Sequence, residues 1–214
     1  PDPAHADGLP KRERTLVIGI MMAGTTTACI SQSMMIAALP TIMHEFNVNA
    51  TLGQLLTTSY IFTLGLISAM NANAEYLKKQ IDRARSLTDN EARGACYRRI
   101  QKKLFLASLS CFVVGCAASL VAPNYPLLLA SRLLQAGGAG IALPLIQVVA
   151  LSVYPKSEYG KAMGIVGLII GFAPAIGPTI AGFLIDAWGW HAVFVLLGSV
   201  ALAVVVVSVF LLKD

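Results

Sequence analysis

Residues 164–182 read GIVGLIIGFAPAIGPTIAG. The stretch carries no charge. Its length suits a bilayer-crossing helix, which takes about 20 residues. Gly164, Gly167, Gly171, Gly177 and Gly182 interrupt it, together with Pro174 and Pro178. In water an interior proline costs a helix about 3 kcal/mol and a glycine about 1 kcal/mol. In lipid the backbone has no water to bond to, so the helix persists. The pattern predicts a bent helix whose small residues let another backbone come close.

The rest of the chain has the same character. Its 214 residues are 56% hydrophobic and 13% charged, with a mean hydropathy of +0.70. A soluble domain carries about 25% charged residues. The chain is therefore read as a polytopic membrane protein with the lipid bilayer as its first partner. Apolar runs at about 15–42, 51–71, 104–122, 125–153, 160–187 and 192–212 predict an all-α fold of six transmembrane helices. A polar tail, 1–14, precedes them, and a charged segment, 73–103, separates the second from the third. The chain begins at Pro1, so trimming is expected, and the first apolar run is too long for a cleavable signal peptide.

Lys and Arg occur in the tail, in 73–103, at Lys156 and Lys161, and at Lys213, with Arg132 alone inside a span. The 1–2, 3–4 and 5–6 connections have none. The positive-inside rule then puts both termini in the cytoplasm, for a multi-pass protein of the cell (inner) membrane. The net charge of +5 is a topology signal, and no nucleic-acid partner is expected. The four cysteines lack zinc or redox spacing; Cys29, Cys111 and Cys116 lie in apolar segments as small core residues. No intramembrane His/Asp/Glu cluster, nucleophile–base pair or phosphate loop is present, so neither enzyme activity, metal nor cofactor is expected.

Within 73–103, Leu77, Ile81, Ala84 and Leu87 share one helical face. Thr88-Asp-Asn-Glu91 reads as a capping box, followed by an apolar stripe at Ala92, Cys96 and Ile100. Two short amphipathic helices on the cytoplasmic side are expected, followed by the third span from Leu104.

Polar residues inside the spans are the candidate site. In the first helix Thr25, Cys29 and Gln32 fall on one face, and Ser31 stands beside them. They either bond between helices or line a water-filled cavity. Tyr60 of the second helix either lines the cavity or packs as an aromatic. Arg132 and Gln135 lie in the fourth. An arginine among apolar residues costs several kcal/mol unless it is paired or wet, so Arg132 is either functional or snorkels to the outer interface.

The order of these residues carries a family resemblance. Gly171, Pro174, Gly177, Pro178 and Gly182 resemble the antiporter motif in the fifth helix of the drug/proton antiporters of the major facilitator superfamily. Arg132-Leu-Leu-Gln135-Ala-Gly137-Gly138-Ala139-Gly140 resembles the fourth-helix signature Arg-x-x-Gln-Gly-x-Gly-Ala-Ala, with Ala136 and Gly140 departing from it. The run ALPTI at 38–42 resembles the end of the first-helix signature, and Ser31 stands where that signature has Asp. Tyr60 matches a tyrosine common in this branch. The 2–3 segment is much longer than the family's loop; Asp82-Arg83 and the basic Arg98, Arg99, Lys102 and Lys103 only echo it.

The resemblance implies the N-terminal six-helix half of a transporter, built from two inverted three-helix repeats. It implies (half of) a multidrug efflux proton antiporter, acting on protons and a cationic or amphipathic small molecule. Arg132, Gln135, Ser31, Gln32, Thr25 and Tyr60 would serve the substrate path or proton coupling. The polar residues of the first helix, with Arg132 and Gln135, are expected to line one wall, which a second six-helix half or a homodimer partner completes. Gly171 and Gly177 are expected to lie against another helix. Two alternatives stand beside this reading: a half-size transporter acting as a dimer, and a membrane scaffold or binding subunit that moves nothing.

Overall fold

The computed structural model describes residues 11–73, 90–154 and 156–211. Six helices order the chain: α1 Lys11–Glu45, α2 Ala50–Asn73, α3 Asn90–Leu120, α4 Tyr125–Val153, α5 Tyr159–Trp188 and α6 His191–Leu211. A 3-10 turn, Lys156–Glu158, leads into α5. All six are long and apolar enough to cross a membrane, and no strand occurs among the described residues. The expected all-α, six-helix membrane bundle is what forms.

Local chemistry sets the helix ends. Asn124 caps α4: its Oδ1 accepts from the Leu127 amide at 3.0 Å, and Pro126 follows where no amide donor is needed. Gly189 closes α5 at φ 79°, a conformation that side-chain-bearing residues rarely adopt. Pro40, Pro144, Pro174 and Pro178 all lie within continuous helices. That is the behaviour expected where lipid offers the backbone no alternative partner.

One boundary differs from the sequence reading. The basic stretch after Asn90 is not a separate short helix; it is the start of α3, which runs unbroken to Leu120. Glu, Ala, Arg, Gln and Lys are good helix formers, and no proline separates them from the apolar span. The stretch from Leu77 to Leu87, with Asp82-Arg83, lies outside the described residues.

α1 and α4 form the centre. In their most apolar windows 44% and 50% of residues are buried, against 17% for α2 and 18% for α5. Glycines set three of the close approaches. A β-carbon on Gly138 of α4 would come within 3.0 Å of the Phe112 amide nitrogen, and nearer still to the Ser108 carbonyl of α3. One on Gly140 would sit 2.8 Å from the Leu64 carbonyl of α2. One on Gly177 of α5 would lie 2.9 Å from Ser33 Cβ and 3.3 Å from the Ile30 carbonyl of α1. Backbone therefore meets backbone or a short side chain, the contact that small residues permit.

The expectation for Gly177 holds, while Gly171 meets no helix within this bundle. Gly171 is exposed, and among the described residues no other helix or side chain comes within 4 Å of where its β-carbon would be; the same is true of Gly164 and Gly167. Pro174 and Pro178 are exposed as well. α5 meets the bundle through Ala162, Val166, Ala173, Gly177 and Ala181. Gly171 stands six residues before Gly177, which turns it about 120° away around the helix.

The two tryptophans also divide. Trp188 is 68% exposed and Trp190 only 1%. Trp190 is thus an internal anchor. Its Nε1 donates to Glu45 Oε2 at 2.5 Å, its ring stacks on His191 at 3.7 Å, and Phe194 meets it edge-on at 5.8 Å. This ties the end of α1 to the start of α6.

Candidate functional site

Arg132 sits seven residues into α4, about 10 Å of helix rise from its start. It is fully buried, at 0% exposure, as are Ser31, Tyr60 and Gln135. Gln135 lies one turn further along the same helix, so the two side chains meet. Arg132 Nη1 donates to Gln135 Oε1 at 2.6 Å and to Ser31 Oγ of α1 at 3.0 Å. The guanidinium carbon lies 4.3 Å from the centre of the Tyr60 ring of α2. The Tyr60 hydroxyl donates to the Ala28 carbonyl at 3.3 Å, which holds the ring in place.

Gln135 is fixed in turn. Its Nε2 donates to Ser119 Oγ of α3 at 2.8 Å, and Ser119 and Ser131 share a hydrogen bond of 2.7 Å. The network therefore draws on α1, α2, α3 and α4. Arg132 Nε and Nη2 have no hydrogen-bond partner among the described residues.

Every partner in this network is neutral. The charge is offset by the Tyr60 ring, worth up to about 2 kcal/mol when desolvated. Hydrogen bonds to a charged group add about 1.5–3 kcal/mol each. Against this stands a desolvation cost of several kcal/mol for the ion, plus about 1–3 kcal/mol for each buried donor left unmet. No carboxylate lies mid-span among the described residues: Glu13, Glu45, Glu91, Glu158 and Asp186 all stand near helix ends. The positive charge is held by geometry and left without a counter-charge.

Four of the six candidate residues thus come together, and two do not. Thr25 is buried but bonds its own helix, its Oγ1 donating to the Met21 carbonyl at 2.8 Å. Gln32 is half-buried and outside the network. The structure corrects the expected wall: Arg132, Gln135, Ser31 and Tyr60 are interior to one bundle rather than on its surface. A side chain with no exposure does not snorkel either; Arg132 bonds to the side chains of Ser31 and Gln135.

Ser119 and Ser131 were not among the expected site residues. Gly115 belongs with them, because a β-carbon there would lie 2.6 Å from Gln135 Cγ and 2.9 Å from its amide nitrogen. Gly115 and Ser119, four apart in an apolar helix, form a small-x-x-x-small pair that the sequence displays. A separate cavity of about 170 Å³ between α1, α4 and α5, lined by Ile18, Met22, Ala150 and Ile165 among others, holds none of this network.

The profile of the Major Facilitator Superfamily matches residues 94–214, which hold Arg132, Gln135, Ser119 and the whole of α5. The chain belongs to the major facilitator superfamily. It is a multi-pass membrane protein. Among relatives of this facilitator chain, YcnB of Bacillus subtilis (strain 168), described as an uncharacterized MFS-type transporter, is 37% identical over 201 residues. That match covers 94% of the chain and 38% of the relative. The lincomycin resistance protein LmrB of the same organism is 33% identical over 179 residues, covering 84% of the chain and 33% of the relative. A "Probable actinorhodin transporter" of Streptomyces coelicolor is 24% identical over 218 residues, covering 100% of the chain and 34% of the relative. The chain spans about a third of the length of these curated relatives.

Proposed function

We propose that this chain forms the N-terminal bundle of a drug-efflux transporter that works by alternating access and exchanges its substrate for protons. The observation that carries the reading is the open face of α5. Gly177 locks the helix onto α1, while Gly164, Gly167 and Gly171 present bare backbone with nothing beside it. Alternating access needs two bundles rocking about a shared site. A small-residue stripe next to unburied prolines is the surface on which a second bundle could seat closely. That bundle is a second six-helix half or a copy of this chain.

The names of LmrB and of the actinorhodin transporter support an organic small molecule as the substrate. A cationic substrate would meet no acid in the interior of the described spans, so the amphipathic alternative is proposed. Ser31 supplies no titratable acid either; the proton would be carried by a group of the second bundle, acting against Arg132. The distribution of Lys and Arg supports cytoplasmic termini. Single cysteines at positions 124 and 188, in a background free of the native cysteines, are expected to label from outside the cell. Labelling only from the cytoplasm would invert the topology.

The test of function is reconstitution. A single monomer of the chain per vesicle is expected to drive no proton-dependent uptake of a fluorescent amphipathic dye. Uptake is expected once a second bundle is present. Uptake that rises with the square of protein density would identify that bundle as a copy of this chain. A strictly monomeric six-helix chain that transports would overturn the proposal.

A further inference from the structure

We propose that the free edge of the Arg132 guanidinium is a binding site for a carboxylate. Nη1 is spent on Gln135 and Ser31, while Nε and Nη2 are buried and unpaired among the described residues. These two nitrogens lie along one edge of the planar group, the edge that takes a carboxylate through two parallel hydrogen bonds. The Tyr60 ring covers a face of the guanidinium at 4.3 Å, so the in-plane edge is what remains for a ligand. Its direction is preset. Gln135 holds Nη1 and is itself pinned by Ser119, so the edge is oriented before anything binds.

The chemistry selects an anion. A water molecule would satisfy both N–H groups and leave the buried charge uncompensated. A carboxylate satisfies both and supplies the missing charge, the pairing that arginine in a membrane interior ordinarily has. Ser31 stands on the opposite nitrogen and provides a neutral oxygen only. The covering ring of Tyr60 comes from α2, the least buried of the six spans. The site deepens the transporter reading and rests on it for its purpose: the carboxylate belongs either to the transported molecule or to a side chain of the second bundle.

Binding is read without transport, so its failure is separable from a failure of the two-bundle experiment. The purified full chain in detergent is melted with sodium benzoate and, separately, with neutral benzamide. Benzoate at tenfold excess over its Kd is expected to raise the midpoint by about 3 °C. Benzamide is expected to leave it unchanged. Arg132→Lys, which keeps the charge and loses the two-pronged edge, is expected to weaken benzoate by at least about tenfold. Ser31→Asp serves as the folded control. It places an internal carboxylate beside Nη1, and is expected to raise the midpoint without ligand and to weaken benzoate by at least about tenfold. Equal shifts with benzoate and benzamide, or a Ser31→Asp chain that answers benzoate as the wild type does, would overturn the site. A benzoate response that survives co-purification with the second bundle assigns the carboxylate to the transported molecule. A response that this bundle abolishes assigns it to an acidic side chain there.

Discussion

Gly177→Leu is expected to break the six-helix bundle, and Gly171→Leu is expected to leave it intact while preventing its assembly with a second one. The two positions share a helix and a sequence signature but not an environment. At Gly177 the first added carbon already lies 2.9 Å from Ser33 Cβ and 3.3 Å from the Ile30 carbonyl. Neither neighbour can yield cheaply, because one is backbone and the other is a short side chain on the central helix. Overpacking in a close-packed interior costs about 1–3 kcal/mol, and a leucine at a backbone contact falls at the upper end or beyond. Native proteins hold only about 5–15 kcal/mol in all. At Gly171 the added carbon meets nothing within 4 Å, and an exposed change of this kind alters stability by about 0.5 kcal/mol or less. Thermal unfolding in detergent reads the first effect, and co-purification with a second bundle reads the second. A Gly177→Leu chain as stable as wild type would refute the α1–α5 contact. A Gly171→Leu chain that still pairs and transports would refute the docking face.

Arg132→Met is expected to separate stability from function. A buried ion replaced by an apolar residue of similar volume is often neutral or stabilising by about 1–4 kcal/mol, because the desolvation cost disappears. Here the gain is trimmed, since Ser31 Oγ and Gln135 Oε1 each lose a donor. The bundle should therefore melt within a few degrees of wild type. Transport by the assembled protein should fall by about 10- to 150-fold, the value of a lost hydrogen bond of about 1.5–3 kcal/mol to a charged group. Melting and initial transport rates on the same preparation decide the matter. Full transport in Arg132→Met would remove the residue from the mechanism. A collapse of the bundle would make it a structural residue.

Much of this is legible in one dimension. Lipid forces every backbone group to bond within its own helix, so hydropathy and length alone predict six helices, and four internal prolines do not break them. The small residues of the fourth and fifth helices announce close packing for the same reason. A lone arginine in an apolar span announces a polar site.

What composition and spacing do not carry is the direction each residue faces. Gly171 and Gly177 look equivalent in the signature, and only the seat of α5 on α1 makes one a contact and the other a bare surface. Trp188 and Trp190 are two residues apart, and the turn at Gly189 sends one outward and the other to Glu45. Arg132 reads as a functional residue or as a snorkel to the outer interface until four helices close around it. Helical periodicity relates positions within one helix; it says nothing of the rotation of that helix against its neighbours. The Arg132 network joins residues up to 101 positions apart. Its membership, its neutrality and its unpaired edge were therefore decided by the packing of α1, α2, α3 and α4, through contacts that no local stretch of sequence contains.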